Sequence, residues 1–147
     1  MAKKRSNRRL PEAHLEPDSE KIHFSFKHMD ADHPTYGVGG CSEEFFRELL
    51  KCLNEYSAYS VDQFCDQNNH DNRHTIDWDT TSEKQGFRSL EENLKLLSAW
   101  QFALCPRCKS KPRCLWRAYG FLSGNVFYLV WLDTEHKLSK NSGAKRR

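Results

Sequence analysis

Apolar residues recur along this chain in more than one rhythm, and each rhythm predicts a different element. From Lys21 to Lys27 they alternate, with Ile22, Phe24 and Phe26 on one side, which is the period of a strand. From Phe45 the period lengthens. Phe45, Leu49, Cys52, Leu53 and Tyr56 return every three or four residues, opposite a face of Glu48, Lys51 and Glu55. That stripe predicts a helix with Ser42 as its N-cap and Glu43 and Glu44 in its first turn, ending near Tyr59. Ser60 repeats the capping signal ahead of Val61-Asp-Gln-Phe-Cys65, a second, shorter helix that Asn68-Asn-His-Asp-Asn72 stops. Arg73 to Gly86 has no period and reads as polar loop. Leu90, Leu94 and Leu97 follow an approximate capping box at Ser89 and Glu92, and predict a short third helix.

From Trp100 the rhythm is that of strands again: Trp100 to Cys105, Cys114 to Leu122, and Val126 to Asp133. Their short links imply an antiparallel meander, and the last segment, apolar on both faces, belongs in the centre of the sheet, beside the first strand. The expectation is an α+β domain: a strand, two or three helices, then a three-stranded meander, forming an antiparallel sheet of three to four strands. Gly124-Asn125 reads as a two-residue type II′ turn, so Phe121 should face Tyr128, Tyr119 should face Val130, and Arg117 should face Leu132. By parity Arg117, Tyr119 and Phe121 share a side, and His136 joins them if the chain stays extended past Leu132.

Composition sets the frame for this domain. A chain of 147 residues, 37% hydrophobic, is long enough to bury one core. We place that domain at 21–138, between a basic arm and linker at 1–20 and a basic tail at 139–147, both read as solvated and disordered. No apolar run reaches membrane-spanning length and the start is not of secretory type, which implies a cytoplasmic protein whose six cysteines are thiols or metal ligands. The net charge of +3 does not itself specify a polyanion partner, because 20 acidic residues nearly balance 23 basic ones. Distribution does more. Acidic residues crowd Asp62 to Glu92, whereas Arg107, Lys109, Lys111 and Arg113 form a cluster suited to nucleic acid.

The polar groups at the two ends of the aromatic hairpin carry the candidate chemistry. Arg117, Tyr119, His136 and Lys137 would offer a fixed cation, a phenol, a group titrating near neutrality and a second cation to a phosphodiester. The run from Trp116 through Arg117, Gly124 and Asp133 to His136, with the element order from Lys21 to Leu138, resembles the RelE/YoeB/ParE superfamily of bacterial toxins. In that superfamily an Arg on the third strand precedes a small turn, an apolar fourth strand, and polar functional residues near the C-terminus. The resemblance implies a toxin-like endoribonuclease of a toxin–antitoxin or phage-defence system, acting on RNA, including ribosome-bound mRNA, and neutralised by a cognate antitoxin. It implies metal-free cleavage by the ribose 2′-hydroxyl, with Arg117 stabilising the phosphorane and His136 transferring a proton. Tyr119 would stack on a base or orient phosphate, Lys137 would add charge, and His74 or Glu83 would be the second proton-transfer group. The chain departs from the pattern in its length, its acidic middle and its weak basic helical face.

Other constellations compete. Cys105, Cys108 and Cys114 have the start of a structural zinc site, with a fourth ligand to come from Cys65, His70 or His74, and would make the basic loop a non-catalytic nucleic-acid- or partner-binding module. His70 to Asp79 holds imidazoles and carboxylates at close spacing, the raw material of a metal centre. Asp133-Thr-Glu-His136 also reads as a strand-ending turn capped by Asp133. Gly37-Val-Gly-Gly40 precedes a helix but lacks the Lys-Ser/Thr of a phosphate cradle.

Overall fold

The computed structural model describes residues 20–66, 72–104 and 115–139. The expected basic arm before residue 20 and tail after residue 139, with Cys105, Arg107, Cys108, Lys109, Lys111, Arg113, Cys114 and His70, lie outside them.

Helix α1 spans Glu43–Tyr56 and begins where its cap predicts: the Ser42 hydroxyl accepts from the Phe45 amide at 3.1 Å. Helix α2, Val61–Cys65, opens with a full capping box, Ser60 and Gln63 each accepting the other's backbone N–H. The strands are β1 (His23–Ser25), β2 (His74–Thr75), β3 (Ala99–Ala103), β4 (Arg117–Ser123) and β5 (Val126–Asp133). They form one mixed sheet in the order β1-β5-β4-β3-β2, and with the two helices make an α+β fold.

This sheet corrects the expectation of three to four antiparallel strands. It has five, and β1 runs parallel to β5, because the helical connection returns the chain to the same end before the meander starts. The fifth strand, β2, lies in the stretch that reads as polar loop; it is two residues long and both are exposed, so it leaves no apolar period in the sequence. The third helix shrinks to one 3₁₀ turn, Leu94–Leu96, since β3 begins at Ala99 and leaves no room for a second turn.

Both faces of the sheet are covered. On one side α1 and α2 pack Phe45, Leu49, Tyr56 and Phe64 against Phe102, Phe127 and Leu129. On the other, irregular segments lay Tyr36, Phe87 and Leu90 over Tyr119, Phe121 and Trp131. Tyr36 stacks on Trp131 at 4.9 Å between centroids, and the Phe87 ring meets the same indole edge-on at 4.9 Å. This double cover explains why β4 and β5 are apolar on both faces although their pairing is antiparallel.

The hairpin turns at Gly124, whose φ of 59° suits the first central position of a type II′ turn, and Ser123 pairs with Val126 as expected. Phe121 faces Tyr128, but between Gly120 and Tyr119 the register slips by one. Val130 is the extra residue of a β-bulge, and the Asp30 amide caps its carbonyl at 3.0 Å. Consequently Tyr119 faces Trp131 rather than Val130, and Arg117 faces Asp133 rather than Leu132. A Cβ on Gly120 would stand 2.1 Å from the Tyr128 carbonyl oxygen, so the close approach beside the bulge requires glycine.

Candidate functional site

Register places two rows of side chains on the face away from the helices. One row is His74, Gln101, Tyr119 and Trp131; the next is Ala103, Arg117 and Asp133. At the β2 edge, where the covering segments stop, a cleft of about 350 Å³ opens, lined by His74, Gln101, Arg117 and His136 together with Asp77, Thr80 and Thr81. The small side chain of Ala103 leaves Arg117 space beside it in its row.

His136 reaches this cleft by a turn, not by the extended chain that parity assumes. Asp133, 1% exposed, gathers the turn around its carboxylate: Oδ1 accepts from the amides of Glu135 and Lys137, and Oδ2 from the amide of Leu138, each at 3.1 Å. The buried Tyr119 hydroxyl donates to the same Oδ2 at 2.7 Å. In the middle of the wrap His136 takes a φ of 55°, the left-handed region that few residues with a Cβ occupy. Outside, the Ser82 amide donates to the Leu138 carbonyl at 2.9 Å and the Ser82 hydroxyl to the Lys137 carbonyl at 3.1 Å. The capping role of Asp133 and the exposure of His136 to a cleft are therefore two parts of one turn.

His74 comes from the opposite wall. Its Nδ1 lies 2.8 Å from the carbonyl oxygen of Thr75, and a carbonyl only accepts, so Nδ1 carries the hydrogen and Nε2 is left for a ligand. Burial lowers the pKa of His136, and Arg117 and His74 push the same way, while Asp133 opposes them. His136 therefore favours the neutral imidazole near pH 7. Burial also lowers the pKa of Arg117, against the pull of Tyr119 and Asp133, yet a guanidinium starts so high that it keeps its charge. Arg117 is 7% exposed, and its Nη1 donates to the Trp116 carbonyl at 3.1 Å.

The site thus unites Arg117 and His136 with His74, one of the two loop residues expected to supply the second proton-transfer group. Glu83, the other, lies outside the cleft lining. Tyr119 is fully buried, with its pKa driven far upward by burial and by Asp133, so it cannot stack on a base or touch a phosphate. Lys137 also leaves the site: its ammonium pairs with Glu135 at 3.1 Å on the exposed side of the turn. Gln101, Thr80 and Thr81 escape the sequence reading. Gln101 had a signal, since it is the single polar residue in the buried run Ala99 to Leu104. Thr80 and Thr81 had none; their hydroxyls donate to the carbonyls of Asp77 and Trp78, both at 2.8 Å, as ordinary turn residues do.

Among the described residues no group of three or more His, Cys, Asp or Glu side chains is placed to hold a metal ion. Cys65, one expected completing ligand for zinc, is half-buried, and burial raises its thiol pKa, with Asp62 adding to the shift. The chemistry the cleft offers is proton transfer by two imidazoles and charge stabilisation by one guanidinium. Among the described residues no helix is long and apolar enough to cross a membrane. No protein-family model, curated protein or solved structure matches the chain.

Proposed function

We propose that the chain is a metal-independent endoribonuclease, a toxin-like enzyme of the RelE/YoeB/ParE type from a toxin–antitoxin or phage-defence system. The observation that carries the reading is one cleft lined by Arg117, His136 and His74. The element order, a strand and helices followed by a meander whose second strand begins with Arg117, supports the family resemblance.

In this reading a ribose 2′-hydroxyl gives its proton to neutral His136 and attacks the adjacent phosphorus. Arg117 stabilises the charge that builds on the phosphorane oxygens. His74, in this step an imidazolium with hydrogens on both ring nitrogens, delivers the Nε2 proton to the departing 5′-oxygen as the P–O bond breaks. The products are a 2′,3′-cyclic phosphate and a 5′-hydroxyl, and the two histidines have exchanged protonation states. Each proton-transfer group contributes roughly 10²–10⁴-fold to the rate.

The test is incubation of the purified chain with RNA, with and without ribosomes, in EDTA. We expect cutting that resists the chelator, stops at a 2′-deoxy substitution on the 5′ side of the cut, and falls at least about 10²-fold in His136→Ala, His74→Ala and Arg117→Ala. Cutting that survives all three substitutions in folded protein rejects the site. The near-complete burial of Arg117 also favours a second reading, a non-catalytic nucleic-acid- or partner-binding module; RNA retained but never cut would select it.

A further inference from the structure

A buried carboxylate that accepts four hydrogen bonds is more than a strand-ending cap needs, because one or two would satisfy a turn. We infer that Asp133, held by the Tyr119 hydroxyl, is the positioning residue that aims the His136 imidazole into the cleft. The inference rests on the reading of His136 as a reacting group, and it adds two residues that touch no substrate.

The geometry runs outward from the core. Tyr119 is fixed on β4 between Gln101 and Trp131, and the Tyr36 ring meets it edge-on at 6.4 Å, so its hydroxyl has one place to point. That place is Oδ2 of Asp133, which the bulge at Val130 has turned to the same face. Without the slip, Leu132 would face Arg117 and Asp133 would point at the helices. Three amides of residues 135–138 then converge on the carboxylate, and the backbone that brings them there carries His136 through the left-handed region. Strain in a residue beside a cleft persists where its surroundings over-determine it. Here Asp133 from inside and Ser82 from outside do so. Among the charged groups acting on His136, Arg117 and His74 disfavour its protonated form and Asp133 favours it.

The experiment compares wild type with Asp133→Asn and Tyr119→Phe, following His136 by NMR titration of its ring and RNA cleavage in parallel. Loss of the Asp133 charge should lower the His136 midpoint, because that charge favours the protonated ring. Both variants should move the His136 ring resonance and the Leu138 amide, and should cut kcat by roughly tenfold with KM nearly unchanged. Tyr119→Phe keeps the carboxylate and serves if Asp133→Asn does not fold. A His136 resonance at its wild-type position in a folded variant, or stability lost with kcat and titration unaltered, overturns the inference. If the wild-type chain cuts no RNA the nuclease reading fails, while the titration still decides whether Asp133 positions the imidazole.

Discussion

The strain at His136 can be weighed as a free energy. A residue with a Cβ pays about 1 kcal/mol or more to sit in the left-handed region, and glycine, free of that cost, loses roughly 0.5–1 kcal/mol in chain entropy instead. His136→Gly should therefore stay within about 1 kcal/mol of wild type in urea denaturation while cleavage drops by roughly 10²–10⁴-fold. A glycine variant that unfolds outright would show that the imidazole holds the turn together; one that cuts normally would remove His136 from the chemistry. The links between such residues are the least legible part of a sequence. Arg117 and His136 stood out because polar groups interrupt an aromatic hairpin, and Asp133 because it ends a strand. That one carboxylate binds both Tyr119 and the His136 turn follows from a slip at Gly120, which no local pattern announces.

At the scale of elements, the legible ones carried their signals within themselves. Helix α1 has its cap, first-turn acids and stripe inside one stretch of chain, and each meander strand is an apolar run of its own. Strand β2 has no such signal; it exists because the edge of β3 pairs with it, His74 opposite Gln101 and Thr75 opposite Trp100. Helix α2, five residues long, could not persist alone either. Arg73 ties the two together. Its guanidinium is buried against the rings of Tyr56, Tyr59 and Phe64, 5.1, 5.2 and 5.6 Å from their centroids, and its Nε donates to the Phe64 carbonyl at 3.1 Å. Because His74 is the next residue, the clamp that holds α2 also sets one wall of the cleft. Arg73→Lys keeps the charge but loses the planar face and the fork, and should destabilise by about 2–3 kcal/mol, nearly as much as Arg73→Ala. Urea midpoints check this, and a Lys variant equal to wild type would mean that charge alone suffices.

For the molecule as a whole, one half-buried and one buried ionisable group of this face, His136 and Tyr119, predict a stability window bounded on both sides. His136 has a folded pKa below its ordinary 6.5, so as pH falls through 6.5 the unfolded chain takes up a proton that the folded chain still refuses. Its contribution is complete above that value and is lost between it and the lower folded pKa. Tyr119 bounds the alkaline side. Its folded pKa is raised above the ordinary 10.0, so from pH 10 upward the unfolded chain gains by ionising and stability declines. Other histidines and tyrosines titrate too, so the measurement has to be a difference: urea midpoints between pH 7.5 and 5, and between 9 and 11, for wild type against His136→Asn and Tyr119→Phe. We expect His136→Asn to flatten the acid slope alone and Tyr119→Phe the alkaline slope alone. In cleavage the same lowering places the acid limb of kcat/KM below pH 6.5, because the free enzyme needs His136 neutral to accept the 2′-hydroxyl proton. An acid limb above 6.5, or one unmoved by Asp133→Asn, would mean that a different group is the base, and the pairing of β4 with the final turn would then serve the fold alone.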